Sequence, residues 1–495
     1  MNRIILVQFD QLNRNFGAIK SSNPGSDLVV FIESERMRTG RKWHKQRLFF
    51  LTSSARHFAK ELQAEGFEVK YLKATSTVAG LTQIKSETGI SEVVTTSPNS
   101  FQSLSNLSEI GVSFLDSDFF LTPREIFQDW ASAQKSFTME NFYRMQRERL
   151  NILMQGRKPI GGKWNFDSEN RLPPPKNHDW GPILEFEFDE IDREVIAEIP
   201  DSTWGNIDHK YWATSHDDAL KQLAHFLEFH FADFGPFEDA MPVSSWAGHH
   251  SLLSPYLNNG LLHPIEVLSA VRERFERGGI PISSYEGFVR QIIGWREYVM
   301  GMYWYLGPEY RDQNGLVAKK DLLPLFSNPE KTQMNCVKTI VGDISKRGWT
   351  HHIPRLMVLS NLALLTGVEP IKFLDWMREV FVDAAEWVMV PNVIGMGVHA
   401  DNGVLMTKPY AAGGAYLSKM GQYCKSCIFD PKQRAGSDAC PFTTLYWDFL
   451  DRHLETFKNN HRMFQQISGL HRLKDLPEVR TRAKEVISSL ENGNL

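Results

Sequence analysis

The sequence predicts an α/β domain with a doubly wound parallel sheet, followed by an all-α domain. Over the first part of the chain, short apolar runs rich in β-branched residues alternate with stretches of helical periodicity, the pattern of parallel strands joined by helices. Beyond about residue 215 the strand signals nearly vanish, and apolar residues recur three and four positions apart. We therefore predict an α/β domain at residues 1–130, an interdomain linker at 131–215 and a helical domain at 216–495.

Six short apolar runs predict the strands of the first domain. A serine followed by apolar residues at helical spacing predicts a helix over residues 54–62. A G-x-G-x-x-G motif is absent after the first run, which argues against a standard dinucleotide site. Asp10 and Gln11 follow that run instead, at a strand end where open α/β sheets bind ligands, and a simple helix cap is the alternative. The predicted strands cover residues 4–7, 28–32, 48–51, 68–72, 92–95 and 112–115.

The linker is indicated by a change in composition between about residues 165 and 201. A proline-rich stretch, Arg-Leu-Pro-Pro-Pro-Lys at 171–176, precedes an acidic one, as is typical of a connector between domains. Beyond the linker, helical periodicity predicts long helices at 217–231, 264–277, 284–306 and 369–390.

Composition and charge bound the class of protein. Of the 495 residues, 42% are hydrophobic and 23% are charged, an ordinary balance for a soluble protein. The net charge of −4 argues against a generally basic nucleic-acid coat protein, but it leaves room for a local basic face. No apolar run reaches membrane-spanning length, and the first predicted strand follows directly after residue 3. We therefore expect a cytoplasmic protein with no signal peptide and no membrane partner.

The four cysteines form the most informative pattern in the chain. Cys424 and Cys427 are in a Cys-x-x-Cys pair, Cys440 precedes a proline, and Cys336 lies far upstream. Together they complete a tetrahedral set of four thiolates, which suits zinc or an iron–sulfur cluster. An isolated Cys-x-x-Cys turn with two unrelated buried cysteines is the alternative, and disulfides are a weaker one.

Two motifs of the helical half carry polar groups that suit a ligand. A hydroxyl-rich turn, Ser251-Leu-Leu-Ser254, leads to a proline at a helix start, where N–H groups suit a phosphate; an ordinary capped helix is the alternative. On the following helix, Gln291, Trp295 and Tyr298 share one face. That face suggests a buried planar ligand, and an aromatic core stripe is the alternative reading.

Two further motifs follow. His351 and His352 are adjacent, so we expect them to point to different sides of a helix and not to share a metal ion. One of them can face a cavity as a general acid, while the other packs or forms a hydrogen bond. The last motif contains Trp376, then Asp383-Ala-Ala-Glu-Trp and, a few residues later, Pro-Asn392-Val-Ile-Gly-Met.

In combination, these motifs resemble the flavin-binding domain of the photolyase/cryptochrome superfamily. The resemblance rests on Ser-x-Leu-Ser-Pro-Tyr-Leu, Phe-x-Arg-Gln-x-x-x-Trp-Arg-Glu, the histidine-bearing Arg-Leu-Met helix and Asp-Ala-x-x-Trp, and it covers nearly the whole chain. The four cysteines, with the segments at 161–171 and 391–396, are similar to those of the iron–sulfur bacterial branch, which includes prokaryotic (6-4) photolyases.

The resemblance implies two cofactors in the helical domain. FAD would be folded inside it, with its pyrophosphate at the Ser251 turn and polar contacts to its isoalloxazine edge. A closed, mainly structural [4Fe-4S] cluster would be held by Cys336, Cys424, Cys427 and Cys440. The implied FAD-binding residues are Ser251, Leu252, Leu253, Ser254, Gln291, Arg296, Tyr298, Asp383 and Asn392.

The resemblance also implies an antenna and a route for photoreduction. The antenna would be 6,7-dimethyl-8-ribityllumazine near Asp10, Gln11 and Glu33, although residues 34–40 lack the acidic-then-aromatic pattern expected there. Trp376 resembles the flavin-proximal tryptophan of the electron-transfer chain. Some relatives carry a further tryptophan shortly before the first cluster cysteine, where this chain has Phe-Ser-Asn at 326–328. The candidate replacements are Trp387, Tyr416 and Tyr423.

The function implied is light-driven repair of (6-4) pyrimidine photoproducts in UV-damaged DNA by electron transfer from excited, reduced FAD. His352, supported by His351, would exchange a proton with the lesion, and Asp167 would bind a divalent cation or place a loop near DNA, unless it is a turn residue. The alternatives are a blue-light-sensing cryptochrome of the same branch and a zinc-stabilised nucleic-acid-binding module. We expect a monomer, associated with the nucleoid when bound to DNA. The implied lesion-pocket residues are Trp295, Leu356, Tyr410 and Tyr416.

Overall fold

The first domain is built on a five-stranded parallel sheet. The computed structural model describes all 495 residues, and its strands are β1 (Arg3–Leu6), β2 (Asp27–Ser34), β3 (Glu68–Ala74), β4 (Val93–Thr96) and β5 (Ser113–Leu115). Their order is β3-β2-β1-β4-β5, with Ile4 of β1 aligned with Leu28 and Val93. The chain moves from β1 to one edge of the sheet and then to the other, so a crevice opens at the carboxyl ends of β1 and β4.

Helices cover both faces of this sheet. They are α1 (Gly17–Lys20), α2 (Glu35–Thr39), α3 (Lys45–Ala64), α4 (Thr77–Thr88) and α5 (Phe101–Glu109). On one face, Leu6 and Val30 pack in a small core with Leu81 of α4. On the other face, Ile5 belongs to a larger core that also contains Tyr256 of the helical half. The sheet is therefore packed directly against the second domain.

The predicted strand at 48–51 is wrong, because these residues lie inside α3. His44 caps this helix, its Nδ1 accepting a hydrogen bond from the Gln46 backbone N–H at 3.0 Å. The helix predicted at 54–62 consequently starts at Lys45 and runs for 20 residues. Leu48, Phe49 and Phe50 are all buried, so their apolar run shows no alternation that distinguishes a buried strand from a buried helix. The other five predicted strands are confirmed.

The segment between the sheet and the main helical part contains α6 (Arg124–Ser132), α7 (Met139–Leu150), a hairpin of β6 (Met154–Gln155) and β7 (Lys158–Pro159), and α8 (Glu190–Glu198). Its later part is fastened by a buried ion pair, in which Lys210 Nζ lies 2.5 Å from Asp192 Oδ2. Ser53 of α3 donates a hydrogen bond to the same carboxylate. This connector is therefore packed against the sheet domain.

The second half is helical. Its apolar side chains form a core of 62 buried residues around α14, α17 and α20. The helices are α9 (His216–Phe229), α10 (Phe231–Phe234), α11 (Ser254–Asn259), α12 (Pro264–Glu276), α13 (Ile282–Val289), α14 (Glu297–Leu306), α15 (Asn335–Arg347), α16 (Asn361–Thr366), α17 (Pro370–Val380), α18 (Glu386–Val390), α19 (Gly414–Met420), α20 (Pro441–Arg452), α21 (Leu454–Phe457), α22 (Phe464–His471) and α23 (Leu476–Asn492). None of the helices is both long and apolar enough to cross a membrane.

The helix predicted at 369–390 is broken in two. Phe381 is extended, with φ −94° and ψ 134°, and the Val382 backbone N–H donates to the Gly348 carbonyl at 2.9 Å. This hydrogen bond to a distant segment replaces one of the helix, so α17 ends at Val380 and α18 begins at Glu386. Asp383 lies in the gap between them.

Three π-helical segments interrupt the helical half, at Arg290–Arg296, Pro354–Ser360 and Pro391–Gly397. Such π-helical segments are rare in proteins overall, and many of those that occur are at functional sites. Each segment coincides with a motif that the sequence singled out: the first contains Gln291 and Trp295, the second Leu356, and the third Asn392.

Candidate active site

A cavity of about 1470 Å³ lies between the carboxyl ends of the strands and the helices around α17 and α18. Asp10 lines it from the sheet side, and Trp376 and Asp383 line it from the helical side. Trp387, a candidate for the photoreduction route, also lies on its wall, and the other predicted site residues do not. The cavity is therefore a space shared by both domains, at the strand-end crevice that the sheet topology predicts.

The wall of this cavity contains four buried N–H groups that have no hydrogen-bond partner in the protein. They are Arg47 Nε, Arg378 Nη1, Trp43 Nε1 and Trp387 Nε1. A buried donor without a partner costs about 1–3 kcal/mol, so four of them on one wall indicate a ligand rich in acceptors. The phosphates and ring carbonyls of FAD are such acceptors, and the volume is large enough for a dinucleotide. The residues present fit this cofactor.

Asp383 joins the cavity to two of the predicted motifs. Arg355 donates to both of its oxygens at 3.0 Å, and the Ser254 hydroxyl donates to Oδ2 at 2.7 Å. The neighbouring Leu252 has a left-handed backbone with φ +59°, which is uncommon for a leucine and typical of functional turns. The hydroxyl-rich turn, the histidine helix and the gap after α17 thus meet at one buried carboxylate.

The other predicted cofactor residues contact protein groups away from the cavity. Arg296 pairs with Glu297 at 2.8 Å and donates to the backbone carbonyls of residues 119 and 257. The Tyr298 hydroxyl donates to the Phe137 carbonyl at 3.1 Å. Asn392 donates to the Val388 carbonyl at 2.7 Å, within its own helix. Ser251 and Leu253 belong to the turn but are not on the cavity wall.

The two histidines have opposite environments. His351 is buried and stacks on His250, with ring centroids 4.4 Å apart. Burial, with the charges of His250 and His352, lowers the pKa of His351 well below its usual value. The His352 side chain is 49% exposed, and its Nε2 lies 3.4 Å from Asp239 Oδ1. Loss of solvent is the largest single effect on His352 and disfavours its charged form, but the hydrogen bond to Asp239 and the negative charges of Asp239 and Glu238 together outweigh it and raise the pKa.

A buried carboxyl group that the sequence did not reveal lies beside this pair. Glu238 is 6% exposed and accepts hydrogen bonds from the amides of Gln291 and Asn170, the latter at 3.4 Å. Burial raises its pKa to about 7, against the lowering effects of the Arg290 and His352 charges. Gln291 is therefore connected to the surface around His351, His352, Glu238 and Asp239, called the histidine face below, and not to the cavity wall.

Tyrosines and charged groups surround the histidine face. Burial raises the pKa of Tyr410 and of Tyr416, the latter to about 12, and Asp239 is close enough to raise both further. Asp167 pairs with Arg171 and, at 3.2 Å, with Arg290. The structure therefore brings Tyr410 and Tyr416 close to the acids beside His352. Trp295 and Leu356 are both partly buried against the helical core.

Of the predicted antenna residues, only Asp10 reaches the cavity. It accepts a hydrogen bond from Asn99 at 3.1 Å, and burial raises its pKa. Gln11 is buried and donates to the carbonyls of Thr96 and Ser97 at 3.3 and 3.2 Å. Glu33 is off the cavity wall, and its carboxylate is occupied by protein groups: Arg38 at 3.2 Å, Arg56 at 3.1 Å and the Tyr71 hydroxyl at 3.0 Å.

The four cysteines line one small apolar cavity, together with Met334, Phe429 and Phe442. None forms a disulfide. The Asn335 amide donates to the Tyr423 carbonyl at 2.8 Å and to the Ser426 hydroxyl at 3.0 Å, which joins the start of α15 to the Cys-x-x-Cys turn. Cys336, Cys424, Cys427 and Cys440 are thus gathered from three separate segments, a donor set that suits an iron–sulfur cluster or zinc.

The residues missed from the sequence are Glu238, Asp239 and His250. Glu238 and Asp239 follow the short helix α10, in a turn with no spacing that marks a site, and His250 precedes the hydroxyl-rich turn without any pattern of its own. Their proximity to His351 and His352 arises only from folding. A pair of adjacent acids after an aromatic segment is the single sequence signal for this part of the site.

Comparisons with known proteins show which families and structures this chain is similar to. A family model described as deoxyribodipyrimidine photo-lyase-related protein matches residues 5–212. The (6-4) photolyase of Agrobacterium fabrum is 38% identical over 98% of both chains. An uncharacterised protein of Acanthamoeba polyphaga mimivirus is 26% identical over 27% of this chain and the whole of that protein.

The crystal structure of a bacterial class III photolyase from Agrobacterium tumefaciens aligns with a TM-score of 0.59 at 17% identity, covering 99% of this chain and 98% of that one. This likeness shows that the fold is that of the photolyase class. The full-length identity with the Agrobacterium fabrum protein shows more: the chain belongs to the family of the bacterial (6-4) photolyases.

Proposed function

We propose that this protein is a light-dependent DNA repair enzyme that reverses (6-4) pyrimidine photoproducts. The observation that carries the proposal is the paired His352 and Asp239, which form a partly exposed acid beside the tyrosines at 410 and 416. The relative at 38% identity is named a (6-4) photolyase. Repair is favoured over the blue-light sensor, because a pure sensor has no use for an acid at the surface where a lesion would bind.

FAD is the cofactor that we assign to the interdomain cavity. Bound there, it would supply the light-driven transfer of one electron to the lesion, which is chemistry that the protein side chains lack. Arg47, Arg378, Trp43 and Trp387 supply buried donors without partners, and Asp383 supplies a fixed carboxylate. The turn at Ser251–Ser254 would reach the pyrophosphate, while Gln291, Arg296, Tyr298 and Asn392 would act by fixing the helices around the cofactor.

His352 is the proposed general acid. In its protonated form Nε2 is paired with Asp239 and Nδ1 carries the second proton. Nδ1 would therefore donate to the oxygen that is displaced in the photoproduct, and it would take the proton back when that oxygen returns to its original base. Asp239 stabilises the imidazolium, since it raises the pKa of His352. His351 is neutral and stacked, so it positions the helix and does not donate.

The DNA partner would present the lesion outside the helix. A damaged base pair is stacked in the duplex and must be flipped out, which costs less for a damaged pair than for an intact one. Tyr410 and Tyr416, with Trp295 and Leu356, would contact the extruded bases, because aromatic side chains stack on bases without a sequence preference. Asp167, between Arg171 and Arg290, would place the connector near the DNA or hold a divalent cation.

A [4Fe-4S] cluster bound by Cys336, Cys424, Cys427 and Cys440 would have a structural role. All four sulfur ligands are then used, so no coordination position stays open for a substrate. The cluster would join α15 to the segment that carries Cys440 and α20. A zinc ion uses the same ligands, and analysis of iron, zinc and acid-labile sulfide distinguishes the two.

The antenna proposed is 6,7-dimethyl-8-ribityllumazine at the sheet side of the same cavity. Asp10 supports this assignment, because it is a half-buried carboxyl on the cavity wall at a strand end, and loss of solvent raises its pKa. Gln11 and Glu33 would act indirectly, through the strand ends that they hold. We further propose a monomer that works in the cytoplasm, at the nucleoid when it is bound to DNA.

Illumination of the purified, reduced protein with DNA that contains a single lesion tests the proposal. We expect blue light to convert (6-4) photoproducts to intact pyrimidines, as measured by product chromatography, with no conversion in the dark. DNA with a cyclobutane dimer is the matched substrate control. A protein that binds FAD and absorbs light but converts neither lesion would be the sensor, and the repair proposal would be abandoned.

A further inference from the structure

One tryptophan of the connector and one of the helical domain donate to neighbouring carbonyl groups. Trp376 Nε1 donates to the Phe326 carbonyl at 3.1 Å, and Trp204 Nε1 donates to the Ser327 carbonyl at 3.0 Å. Consecutive peptide carbonyls are only a few ångströms apart, so the two indole nitrogens lie within roughly 12 Å of each other. The Phe326 ring, 4.8 Å from the Trp376 ring, occupies part of the space around them.

Both indoles line the large cavity, but they differ in exposure. Trp376 is 5% exposed, whereas Trp204 comes from the connector and is partly exposed. Trp204 is therefore on the cavity wall and in contact with solvent at the same time. Trp387, which also lines the cavity, is fully buried and has no such contact.

The position of Trp204 is fixed by several contacts. Its carbonyl accepts from the Lys45 backbone N–H at 2.8 Å, and its ring meets the edge of His44 at 4.9 Å between centroids. Gly205 has φ +94° and is pressed against the His44 ring, where any side chain would overlap it. Burial keeps His44 neutral, because it lowers the pKa to about 4. A neutral neighbour does not oppose a positive charge on the indole.

The other aromatic candidates lack this link to Trp376. Trp43 is also a partly exposed residue of the cavity wall, but its indole N–H has no hydrogen-bond partner in the protein. Tyr423 is buried beside the cysteine cavity, and Tyr416 is on the histidine face. Neither lines the interdomain cavity, and the rings in contact with Trp376 are those of Phe326, Phe373 and Phe381. Trp204 is thus the partly exposed, oxidisable side chain that shares a hydrogen-bonded turn with Trp376.

We infer that Trp204 is the outer electron donor through which the bound flavin is photoreduced. The inference rests on the proposed function, since it requires the flavin to lie in the interdomain cavity. On illumination, Trp376 gives one electron to the flavin and takes one from Trp204. A small thiol in solution then returns one electron to Trp204. Two such photochemical cycles oxidise two thiol groups to one disulfide and release two protons. One proton joins the flavin, which is then fully reduced, and the other goes to water.

Photoreduction of Trp204→Phe tests the inference. The holoprotein with oxidised flavin is illuminated anaerobically with dithiothreitol, and flavin absorbance is followed. We expect photoreduction to slow by about tenfold or more, and flash spectroscopy to lose the long-lived oxidised-tryptophan signal. Trp204→Tyr, which keeps an oxidisable ring, should recover part of the rate. Trp447→Phe is the matched control, since Trp447 is a partly buried tryptophan remote from the cavity.

The outcomes separate this inference from the proposed function. After chemical reduction the parent needs no photoreduction, so its failure to repair (6-4) DNA would refute the proposed function without bearing on Trp204. Photoreduction of Trp204→Phe at the parent rate would refute the role of Trp204. If the variant does not fold, the parent is illuminated in air without thiol and analysed by peptide mass spectrometry. Oxygen should then modify Trp204 and leave Trp447 unchanged. An unmodified Trp204 would overturn the inference.

Discussion

At the scale of single residues, the two adjacent histidines are differentiated by what surrounds each ring. His351 loses solvent and gains a stacked neighbour, so it stays neutral. His352 keeps solvent contact and gains a carboxylate, so it is charged more readily. Because a general acid must carry its proton before the reaction, the structure favours His352 over His351 for this role.

Replacement of His352 by Ala should cut repair by roughly two to four orders of magnitude, the usual contribution of a positioned general acid. FAD content, metal content and DNA affinity should stay near those of the parent, because the side chain is at the surface. The measurement is single-turnover repair of (6-4) DNA under saturating light. Repair at the parent rate would show that His352 is not the general acid and that its side chain only packs.

Replacement of Asp239 by Asn should shift the pH dependence of repair. Repair needs protonated His352, so it falls as pH rises through the pKa of that group. Asn removes the negative charge that raises this pKa, and the fall should therefore move to lower pH. Arg355, which lowers the same pKa, and Glu238 are unchanged in this variant. The check is a rate profile from pH 5.5 to about 9, the span over which histidine titrates; identical profiles would contradict the assignment.

At the scale of elements, several of the predicted site residues lie where regular helices are interrupted. The three π-helical segments and the gap between α17 and α18 contain Gln291, Leu356, Asn392 and Asp383. In each case a regular helix would have turned the side chain elsewhere. The Arg355–Asp383 pair then joins the second π-helical segment to that gap.

Replacement of Arg355 by Ala should destabilise this junction. The change leaves the Asp383 carboxylate buried without its cation, which costs about 3–5 kcal/mol. We expect loss of FAD before global unfolding, because Asp383 lines the cavity. FAD released on purification, read from absorbance, is the measurement, and Arg452→Ala at a partly exposed helical pair is the control. Full FAD retention in Arg355→Ala would contradict the role of the pair.

Replacement of Cys427 by Ala tests the cysteine site at the same scale. Removing one ligand should release the metal and unfold the segment between α19 and α20, since metal binding and local folding are coupled. The parent should contain about four irons per chain after anaerobic purification, and the variant should be largely insoluble. Stoichiometric zinc in the parent, with negligible iron and sulfide, would show that the four cysteines bind zinc and not an iron–sulfur cluster.

At the scale of the whole molecule, neutral histidines are buried at the contact between the domains and the connector. Burial lowers the pKa of His44 to about 4 and that of His249 to about 3, with the neighbouring His230 and His178 adding to the latter shift. In the unfolded chain these two histidines bind protons as pH falls through about 6.5, the ordinary pKa of the side chain, whereas in the folded protein they stay neutral until lower pH. Stability is therefore full above that pH and is lost as pH falls toward 4.

His44→Asn should weaken this acid sensitivity. Asn preserves the cap of α3 and does not titrate, so the variant should be less stable at pH 7.5 but lose less stability between pH 6.5 and 4. His44 is completely buried, and its shift corresponds to on the order of 3 kcal/mol across that range. Thermal midpoints of parent and variant measured in parallel provide the check. Equal pH slopes would show that His44 does not contribute.

Much of the fold was predictable from sequence because it depends on local pattern. Alternating apolar runs predict five of the strands, and helical spacing predicts the long helices of the second half. The failures share a cause: at residues 48–51 and at 381–385 the local pattern is compatible with two structures, and contacts with distant segments select one. The four cysteines were recognisable as a set because their residue type is rare and their chemistry is specific.

The sequence by itself determined the fold class, the family resemblance and the residue types available for chemistry. Only the tertiary structure decided which of those residues meet. It placed Asp383 between Arg355 and Ser254, set Asp239 beside His352, and occupied Glu33 with two arginines. It also brought Trp204 of the connector to the carbonyl next to the one that Trp376 uses. The physical reason is that burial and pairing depend on neighbours in space, and local periodicity does not contain that information.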